Sequence, residues 1–553
     1  MRRKSRSGLT RRAFVKLAGG AVVGLGVACA PIQPPAQPTQ APAPPKPTQP
    51  AAAAPTTAVK PAAQPTAAPQ PTAAPAAART GGRLRYAHTA DFLNFDGHRF
   101  ASANFPFFNL LYSSLIVLDK DMKPQPELAE SWQLSDDNRS ITLKLRRGVK
   151  FHNGRELNSE DVKVNLERIK DPKTAAHAGP LAETVDGIET PDSHTVVLRL
   201  NRVAPNIFDL LDLTYIVAPE SVAEIAQRGA GTGPFKLQEW RPQDRAVFVR
   251  NPEYFKSGLP LLDEVTVQVT SDNAGMIVFL ESGAADVIER FNAPDAARLK
   301  GNPALRVEEV WGGSVADTLM NTRQPPFDNK LVRQAFGHAI NRERQIAVSM
   351  SGIGDAWCLP FPKNSIAYHA DVAERCKYDL DEARRLLQQA GFGSGLEFEL
   401  LASTTTWSDS LPRAQIFQSD LAQIGVRAQI RDAEAADYRE RTWGDKYQVA
   451  AHAYGRANRD PDTLFRVARA WWPKNNFAGY ESAEYTRLVD EAGGTLDTAK
   501  RRALYKELAS LIVDDAFMIT VSPQIYLYGS RQAVQGLTYN VEGLPVYERV
   551  TVA

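Results

Sequence analysis

Few residue spacings in this sequence could support chemistry, and the most suggestive is a run of glycines. Gly229, Gly231 and Gly233 alternate with small residues, a spacing similar to that of loops that wrap a phosphate group. That chemistry needs a helix N-terminus immediately after the glycines, because the helix amides bind the phosphate oxygens. Pro234 and the strand-like run FKLQEWRPQDRAVFVRN follow instead. The sequence therefore predicts a glycine turn and no nucleotide site.

Motifs for catalysis or metal binding are also missing from the sequence. It contains no H-E-x-x-H and no G-x-S-x-G, and its eight histidines are scattered outside any dense His/Asp/Glu cluster. Cys358 and Cys376 bracket a loop of Pro, Gly and small residues, but no histidine at zinc-ligand spacing accompanies them. We therefore expect a protein that is not an enzyme and that carries no cofactor or metal.

The elements that position the remaining residues are clearest between residues 128 and 168. Residues 141–146 alternate apolar and polar side chains, the period of a half-buried strand. Residues 149–151 are predicted to start a second strand between two glycine turns. Asn158 or Ser159 is expected to cap the helix that follows. The apolar residues on one face of that helix are Val162, Leu166 and Ile169.

The amino-acid sequence of this hairpin and helix resembles the signature of the family-5 solute-binding proteins. These proteins are the peptide, nickel and related receptors of bacterial ABC importers. The resemblance begins with LRRGVKFHNG at residues 145–154 and continues in family order to the C-terminus, starting from about residue 82. The further matching motifs are GTGPF at 231–235, NTRQPPFD at 321–328, YDLDEARRLLQQAGF at 378–392 and LAQIGV at 421–426.

The resemblance implies an α/β fold of the periplasmic-binding-protein type II. Such a fold has two main lobes joined by a hinge, here with an additional small lobe, and its ligand cleft lies between the main lobes. A chain of 553 residues is also too long for one hydrophobic core. We expect lobe I to comprise residues 82–118, 231–308 and 522–553, the small lobe residues 119–230, and the second main lobe residues 309–521.

The resemblance places much of the ligand pocket on residues 447–465. Peptide-binding members of the family carry an aspartate there that holds the α-ammonium group of the peptide. When the segment is anchored on Asp460 and Pro461, that position falls on Ala457. An uncharged Ala457 cannot pair with an ammonium, so recognition of the peptide N-terminus by this position is not expected.

Arg456 would instead suit an anionic or hydroxyl-rich ligand, because a guanidinium matches the geometry of carboxylates and phosphates. The alternative is that Arg456 and Arg459 pair with Asp460 or Asp462. Aromatic rings, including Trp471 and Trp472, are candidate pocket walls, and each is equally suited to a core. The predicted ligand-binding residues are Trp311, Trp407, His452, Tyr454, Arg456 and Asn458.

The N-terminus is predicted to be an export signal. The run TRRAFVK at residues 10–16 resembles the twin-arginine consensus. The apolar run at 17–28 is too short to span a bilayer as a mature helix. It ends at Cys29 in what resembles a lipoprotein box, with Gly26 where that box usually has leucine. Residues 1–29 are thus interpreted as a signal with a lipidated Cys29; the alternative is ordinary cleavage that releases a soluble protein.

Composition separates a linker from the folded part. Residues 30–80 consist mainly of Pro, Ala, Gln and Thr, which cannot build a core, so we expect a disordered tether or a wall-spanning spacer. Ten basic residues lie before residue 80 without any acid. Removing them from the total of 65 leaves 55 against 63 acidic residues, a net charge near −8. That charge argues against a nucleic-acid or polybasic membrane surface.

The function implied by the resemblance is that of an extracytoplasmic receptor. It would capture a peptide or peptide-like solute by lobe closure and deliver it to an ABC permease and ATPase. Non-peptide ligands (an opine, an oligosaccharide or a metal chelate) stay open, as do a chemosensory receptor and an exported hydrolase. We expect a monomer at the periplasmic or outer face of the cytoplasmic membrane.

In an exported protein Cys358 and Cys376 suit a disulfide, with two separate thiols as the alternative.

Overall fold

A ten-stranded mixed sheet runs through the computed structural model, which describes residues 81–99 and 105–553. The predicted signal at 1–29 with Cys29, and the predicted linker at 30–80, lie outside the described residues. Within the described ranges, no helix combines the length and the apolar composition needed to cross a membrane.

The strands alternate with helices along the chain, as expected for an α/β fold. In chain order the strands are β1 (Arg83–His88), β2 (Ile116–Leu118), β3 (Pro124–Pro126), β4 (Ala129–Leu134), β5 (Ser140–Leu145), β6 (Val185–Asp192), β7 (Thr195–Leu200), β8 (Phe235–Arg241), β9 (Arg245–Arg250), β10 (Glu264–Val269), β11 (Val287–Glu289), β12 (Leu305–Met320), β13 (Leu396–Ala402), β14 (Val426–Asp432), β15 (Val449–Tyr454), β16 (Met518–Arg531), β17 (Val534–Gln535), β18 (Thr538–Tyr539), β19 (Pro545–Val546) and β20 (Thr551–Val552).

Most helices pack on the faces of the sheets. They are α1 (Phe108–Leu111), α2 (Ser159–Lys170), α3 (Gly179–Ala182), α4 (Ile207–Leu213), α5 (Asn273–Ser282), α6 (Ala293–Lys300), α7 (Lys330–Ala339), α8 (Arg342–Ser349), α9 (Ala370–Ala373), α10 (Leu380–Gln389), α11 (Ser410–Ala422), α12 (Ala435–Trp443), α13 (Pro461–Val467), α14 (Ala483–Gly493) and α15 (Thr498–Asp515). Short 3-10 helices span Phe105–Phe107, Pro172–Thr174, Pro219–Glu224 and Arg469–Trp471.

Two long strands connect the two halves of the large sheet. The strand order is β14-β13-β15-β12-β16-β11-β1-β10-β9-β8. β12 has 16 residues and β16 has 14, and they pair antiparallel along their length. The predicted boundaries at 308/309 and 521/522 fall inside these two strands, so the chain passes from one half to the other within continuous strands.

The segment at 115–218 has its own sheet and core. Its antiparallel sheet has the order β4-β5-β7-β6, and α2 covers an apolar cluster that includes Ile141, Leu143 and Leu166. The Asn158 side chain accepts hydrogen bonds from the amides of Glu160 and Asp161, while the Asp161 carboxylate accepts from the amide of Asn158. This reciprocal capping box explains why α2 begins where it does.

The predicted strand at 149–151 is not formed. Lys150 makes only an isolated bridge with Glu156. Gly148 and Gly154 have φ angles of +70° and +91°, so two left-handed turns lie too close together to leave room for a strand. The hairpin of the sequence analysis is therefore built from β4 and β5, upstream of these turns.

The glycine run and the cysteines occupy structural positions. β8 follows the glycines, as predicted, and a Cβ on Gly231 or Gly233 would clash with the backbone carbonyls of Leu111 and Leu110, respectively. These glycines therefore allow two chain segments to approach closely. Cys358 and Cys376 form a disulfide with their Cα atoms 5.7 Å apart, which rules out two separate thiols.

Candidate functional site

The large sheet has two halves, one containing the parallel strands β14, β13 and β15 and the other containing the parallel strands β11, β1 and β10. The carboxyl ends of both sets of strands point toward one junction, which lies where β12 and β16 pass from one half to the other. β12 begins beside the end of β16 that pairs with β11, and it continues into the half where it pairs with β15. β15 is antiparallel to β12 and so points back toward the junction. β11 is antiparallel to β16 and so points to the junction from the other side. Open α/β sheets bind ligands beyond the carboxyl ends of their strands, so this junction is the candidate site.

The pairing of β12 with β16 is interrupted at this junction. Trp311 is opposite Ile525 and Val315 is opposite Pro523, so residues 312–314 form an irregularity between two regular stretches. Gly313 has a φ of +81°, and a Cβ there would clash with the Asn458 side chain. The glycine therefore permits the segment after β15 to pack directly on β12.

Trp311 and Ser314 line the β12 side of the junction. The Trp311 ring packs edge-on against Trp357 with 5.1 Å between centroids, and its Nε1 donates to the Ser314 carbonyl at 2.8 Å. The Ser314 hydroxyl donates to Gln524 Oε1 at 2.8 Å. These four side chains are all partly exposed, so the junction offers both aromatic surface and hydrogen-bonding groups.

Trp407, His452 and Tyr454 lie close together in the half that contains β15, but two of them belong to its core. Trp407 follows β13, is partly exposed and contacts the His452 ring at 5.3 Å. His452 is buried with its Nδ1 2.9 Å from Asp317 Oδ1. Tyr454 is buried against Trp471, which is itself fully buried. Trp407 is therefore the member of this group that is available to a solute.

Arg456 and Asn458 bind the C-terminal segment of the chain. Arg456, at a φ of +75°, forms an ion pair with Glu542, and the Asn458 amide donates to the carbonyl of Val541. Arg459 binds the same Glu542 at 2.6 Å and reaches Asp212 of α4 at 2.6 Å. These contacts join the segment after β15 to the opposite half of the sheet and to the small lobe.

The alternative partners considered for Arg456 and Arg459 are wrong. Asp460 accepts from Arg501 at 2.7 Å, and Asp462 accepts from Arg202 at 2.8 Å. Both aspartates lie at the start of α13, and Asp460 also caps that helix through the amide of Asp462. Their carboxylates are therefore directed to α15 and to the small lobe and are not turned back toward the arginines.

The carboxylates around Arg459 titrate unusually. Burial, together with neighbouring Asp460 and Asp212, raises the pKa of Asp209 to about 7, although Arg459 opposes that shift. Burial would also raise the pKa of Glu542, but Arg456 and Arg459 more than offset it and lower that pKa. Asp209, Asp212 and Glu542 thus share two guanidinium groups, and Arg459 lies farther from Asp209, at 3.7 Å, than from the other two carboxylates, at 2.6 Å each.

Residues that the sequence analysis missed complete the junction. Glu542 lies in a turn more than 80 residues from Arg456, so no local pattern points to it. Arg290 directly follows β11 and packs on the ring of Tyr526. Its position after a strand in the run SGAADVIER was the signal that could have found it, because carboxyl ends of strands carry ligand sites.

The smaller of two described cavities reaches the junction, because it is lined by Trp357, which packs on Trp311. One of about 290 Å³ and one of about 410 Å³ flank the disulfide, and both are lined by Cys358. Neither is lined by Trp407, Tyr454 or Arg456. Strand polarity and side-chain chemistry therefore define the candidate site. Across the described ranges, no group of three or more His, Cys, Asp or Glu residues has the arrangement to hold a metal ion.

Comparison with known proteins gives one family. Residues 123–476 match the family model described as bacterial extracellular solute-binding proteins, family 5 Middle. The glutathione-binding protein GsiB of Salmonella typhimurium is 32% identical over 425 residues, which is 72% of this chain and 81% of GsiB.

Two solved structures are similar over nearly their whole length. The PBP AgaA from A. tumefaciens R10, in complex with agropinic acid, has a TM-score of 0.75 at 26% identity and covers 85% of this chain and 99% of its own. The ABC transporter-associated periplasmic binding protein DppA from Helicobacter pylori, in complex with the peptide STSA, has a TM-score of 0.75 at 25% identity and covers 86% and 98%. The predicted α/β fold with a cleft between two main lobes is thereby confirmed.

Proposed function

The chain belongs to the bacterial extracellular solute-binding proteins of family 5, and we propose that it captures a peptide or peptide-like solute and delivers it to an ABC permease. The observation that carries this proposal is the meeting of strand carboxyl ends from both halves at one junction. The names of two similar proteins, the glutathione-binding GsiB and the peptide-complexed DppA, support a peptide as the solute.

Closure of the two halves would enclose the solute. β12 and β16 are the covalent connections that bend, and the interruption at residues 312–314 is the natural place for that bend. Arg456, Asn458 and Arg459 carry the contacts that hold the halves together on the other side of the junction. A solute between the halves would add its own contacts to both, which favours the closed conformation and presents it to the permease.

A non-peptide acid is the second candidate solute. Ala457 is buried, and its amide donates to the Gly313 carbonyl at 3.0 Å, so this position supplies neither charge nor a free donor. The similar AgaA is in complex with agropinic acid, which is an acid and not a peptide. We propose no turnover of either kind of solute.

Native mass spectrometry of the purified protein tests the proposal directly, because a co-purified solute adds its mass to the protein. A thermal-shift screen of di- to tetrapeptides, glutathione and opines then ranks the candidates. A solute at 100 times its Kd stabilises the folded state by about 2.7 kcal/mol. A melting temperature that no peptide or opine raises, or release of hydrolysis products from peptides, would contradict the proposal.

We also propose export by the twin-arginine route, lipidation of Cys29 and a monomeric state. Export and lipidation are proposed from residues that lie outside the described part of the chain. The monomeric state is proposed from the receptor function. In a bacterial host, Cys29→Ser should move the protein from the membrane fraction to the soluble exported fraction. Replacing Arg11 and Arg12 together by lysine should retain the protein in the cytoplasm, and light scattering of the purified chain should give the mass of one copy.

A further inference from the structure

Arg290 occupies an unusual backbone position at the junction. It directly follows β11, at the carboxyl end of a strand that is parallel to β1. Its φ of +55° lies in the left-handed region that a non-glycine residue rarely adopts, and its amide donates to the Leu527 carbonyl at 2.7 Å. A hydrogen bond to β16 therefore holds the backbone in a conformation that turns the chain sharply at the edge of the candidate site.

The guanidinium group of Arg290 lacks a close carboxylate. Its Cζ atom lies 4.6 Å from the centre of the Tyr526 ring, and both residues are partly buried. Among the described residues no carboxylate comes within 4 Å of it, and its buried Nε has no hydrogen-bond partner there. The carboxylate of the adjacent Glu289 lies 3.0 Å from His88 Nδ1.

Arg290 differs in this respect from the arginines across the junction. Arg456 and Arg459 both bind the buried Glu542, and Arg459 also binds Asp212 at 2.6 Å, so both arginines already have carboxylate partners. Burial lowers the pKa of Arg290 and the charge of Glu289 raises it by more, so the group stays charged. A partly desolvated guanidinium with unused donors is a strong site for a carboxylate, which it can bind through two parallel hydrogen bonds.

We propose that Arg290 binds the C-terminal carboxylate of the solute, so that the protein selects peptides with a free acid end. This inference rests on the proposed function, because it names the carboxylate as the group of the peptide that the receptor recognises. The Tyr526 ring packs on the guanidinium, 4.6 Å from its Cζ atom. The acid end of the peptide thus supplies the ionic contact that uncharged Ala457 cannot make with the amino end.

Calorimetric titration of the purified protein tests this with paired probes. The probes are di-, tri- and tetra-alanine as free acids and as C-terminal amides, together with glutathione. The wild-type protein should bind the free acids about 10- to 100-fold more tightly than the amides, the range expected for a hydrogen-bonded charge pair. Arg290→Gln should lose that same factor for the acids and bind the amides unchanged, and Arg290→Lys should lose part of it.

Arg146→Gln is the matched control. Arg146 is also partly buried, with its guanidinium 5.6 Å from the Phe255 ring, but it follows β5 in the small lobe. This variant should bind acids and amides as the wild type does. If Arg290→Gln and Arg290→Lys both keep the wild-type preference for acids, the role of Arg290 is refuted while the peptide receptor stands. If the wild-type protein binds none of the free-acid peptides, the peptide receptor fails and this inference fails with it.

Discussion

Asp209→Asn should stabilise the protein at pH 8 and have little effect near pH 4. Asp209 is buried on α4, where its Oδ2 accepts hydrogen bonds from the Asp460 amide at 3.0 Å and from the Thr463 hydroxyl at 2.5 Å. Arg459 lies 3.7 Å from the other oxygen but is bound more closely by Asp212. An asparagine oxygen can accept the same two bonds, so the substitution mainly removes a negative charge that is poorly compensated.

The magnitude follows from the displaced pKa of Asp209. That pKa is about 7 in the folded protein, whereas an unfolded aspartate titrates near ~3.9. Between these values the folded state holds a proton that the unfolded state has lost, so stability falls as pH rises through this window. At about 1.4 kcal/mol for each pKa unit, the full loss is about 4 kcal/mol and is complete above pH 7. The asparagine variant escapes it, since its side chain does not titrate.

Urea unfolding followed by tryptophan fluorescence at pH 5 and pH 8 measures this effect. The free energy of unfolding of Asp209→Asn, relative to the wild type, should rise by about 2 to 3 kcal/mol between the two pH values. Glu542→Gln is the control, and its stability relative to the wild type should be nearly the same at pH 5 and at pH 8. Its lowered folded pKa means that the carboxylate stabilises the protein above pH 4 and loses that contribution in acid. A relative stability of Asp209→Asn that is equal at both pH values would refute the reasoning.

Three further changes address the disulfide, the aromatic wall and the bend. Replacing Cys358 and Cys376 by serine should lower the free energy of unfolding by about 3 kcal/mol, since the disulfide closes a loop with a sequence separation of 18; dithiothreitol should bring the wild type to the same value in urea unfolding. Trp311→Ala should weaken solute binding about 10-fold in calorimetry while the ligand-free melting temperature changes little, because the indole is partly exposed. Gly313→Ala should weaken binding and enlarge the ligand-free protein in small-angle scattering, because its Cβ meets the Asn458 side chain and opposes closure; unchanged affinity in either variant would contradict the corresponding role.

Local elements of the fold were predictable where the sequence pattern and the capping residues agree. The helix that follows Asn158 begins at its predicted cap, because a short polar side chain can satisfy the free amides of the first turn. The prediction of a strand at 149–151 was wrong, because two glycine turns with positive φ flank this short apolar run and prevent it from extending.

The candidate site was less predictable, because its contacts join distant parts of the chain. Arg456 was predicted to bind the ligand, whereas its partner Glu542, which lies 86 residues away in a turn without a pattern, was not foreseen. His452 and Tyr454 have residue types that are common in pocket walls, yet every residue of β15 is buried, so both side chains belong to the core. Burial of an aromatic or a histidine depends on which face of a strand is covered, and that is decided by packing between distant segments.

The continuity of β12 and β16 has a consequence for engineering this protein. Each strand pairs with neighbours in both halves, so a cut that separates the halves also divides two strands of one sheet. An isolated half would expose unpaired strand edges and would tend to aggregate. A fluorescent reporter should therefore be inserted into an intact chain, at an exposed turn such as residues 136–139 between β4 and β5. Splitting the gene into two separately expressed fragments should yield insoluble polypeptides.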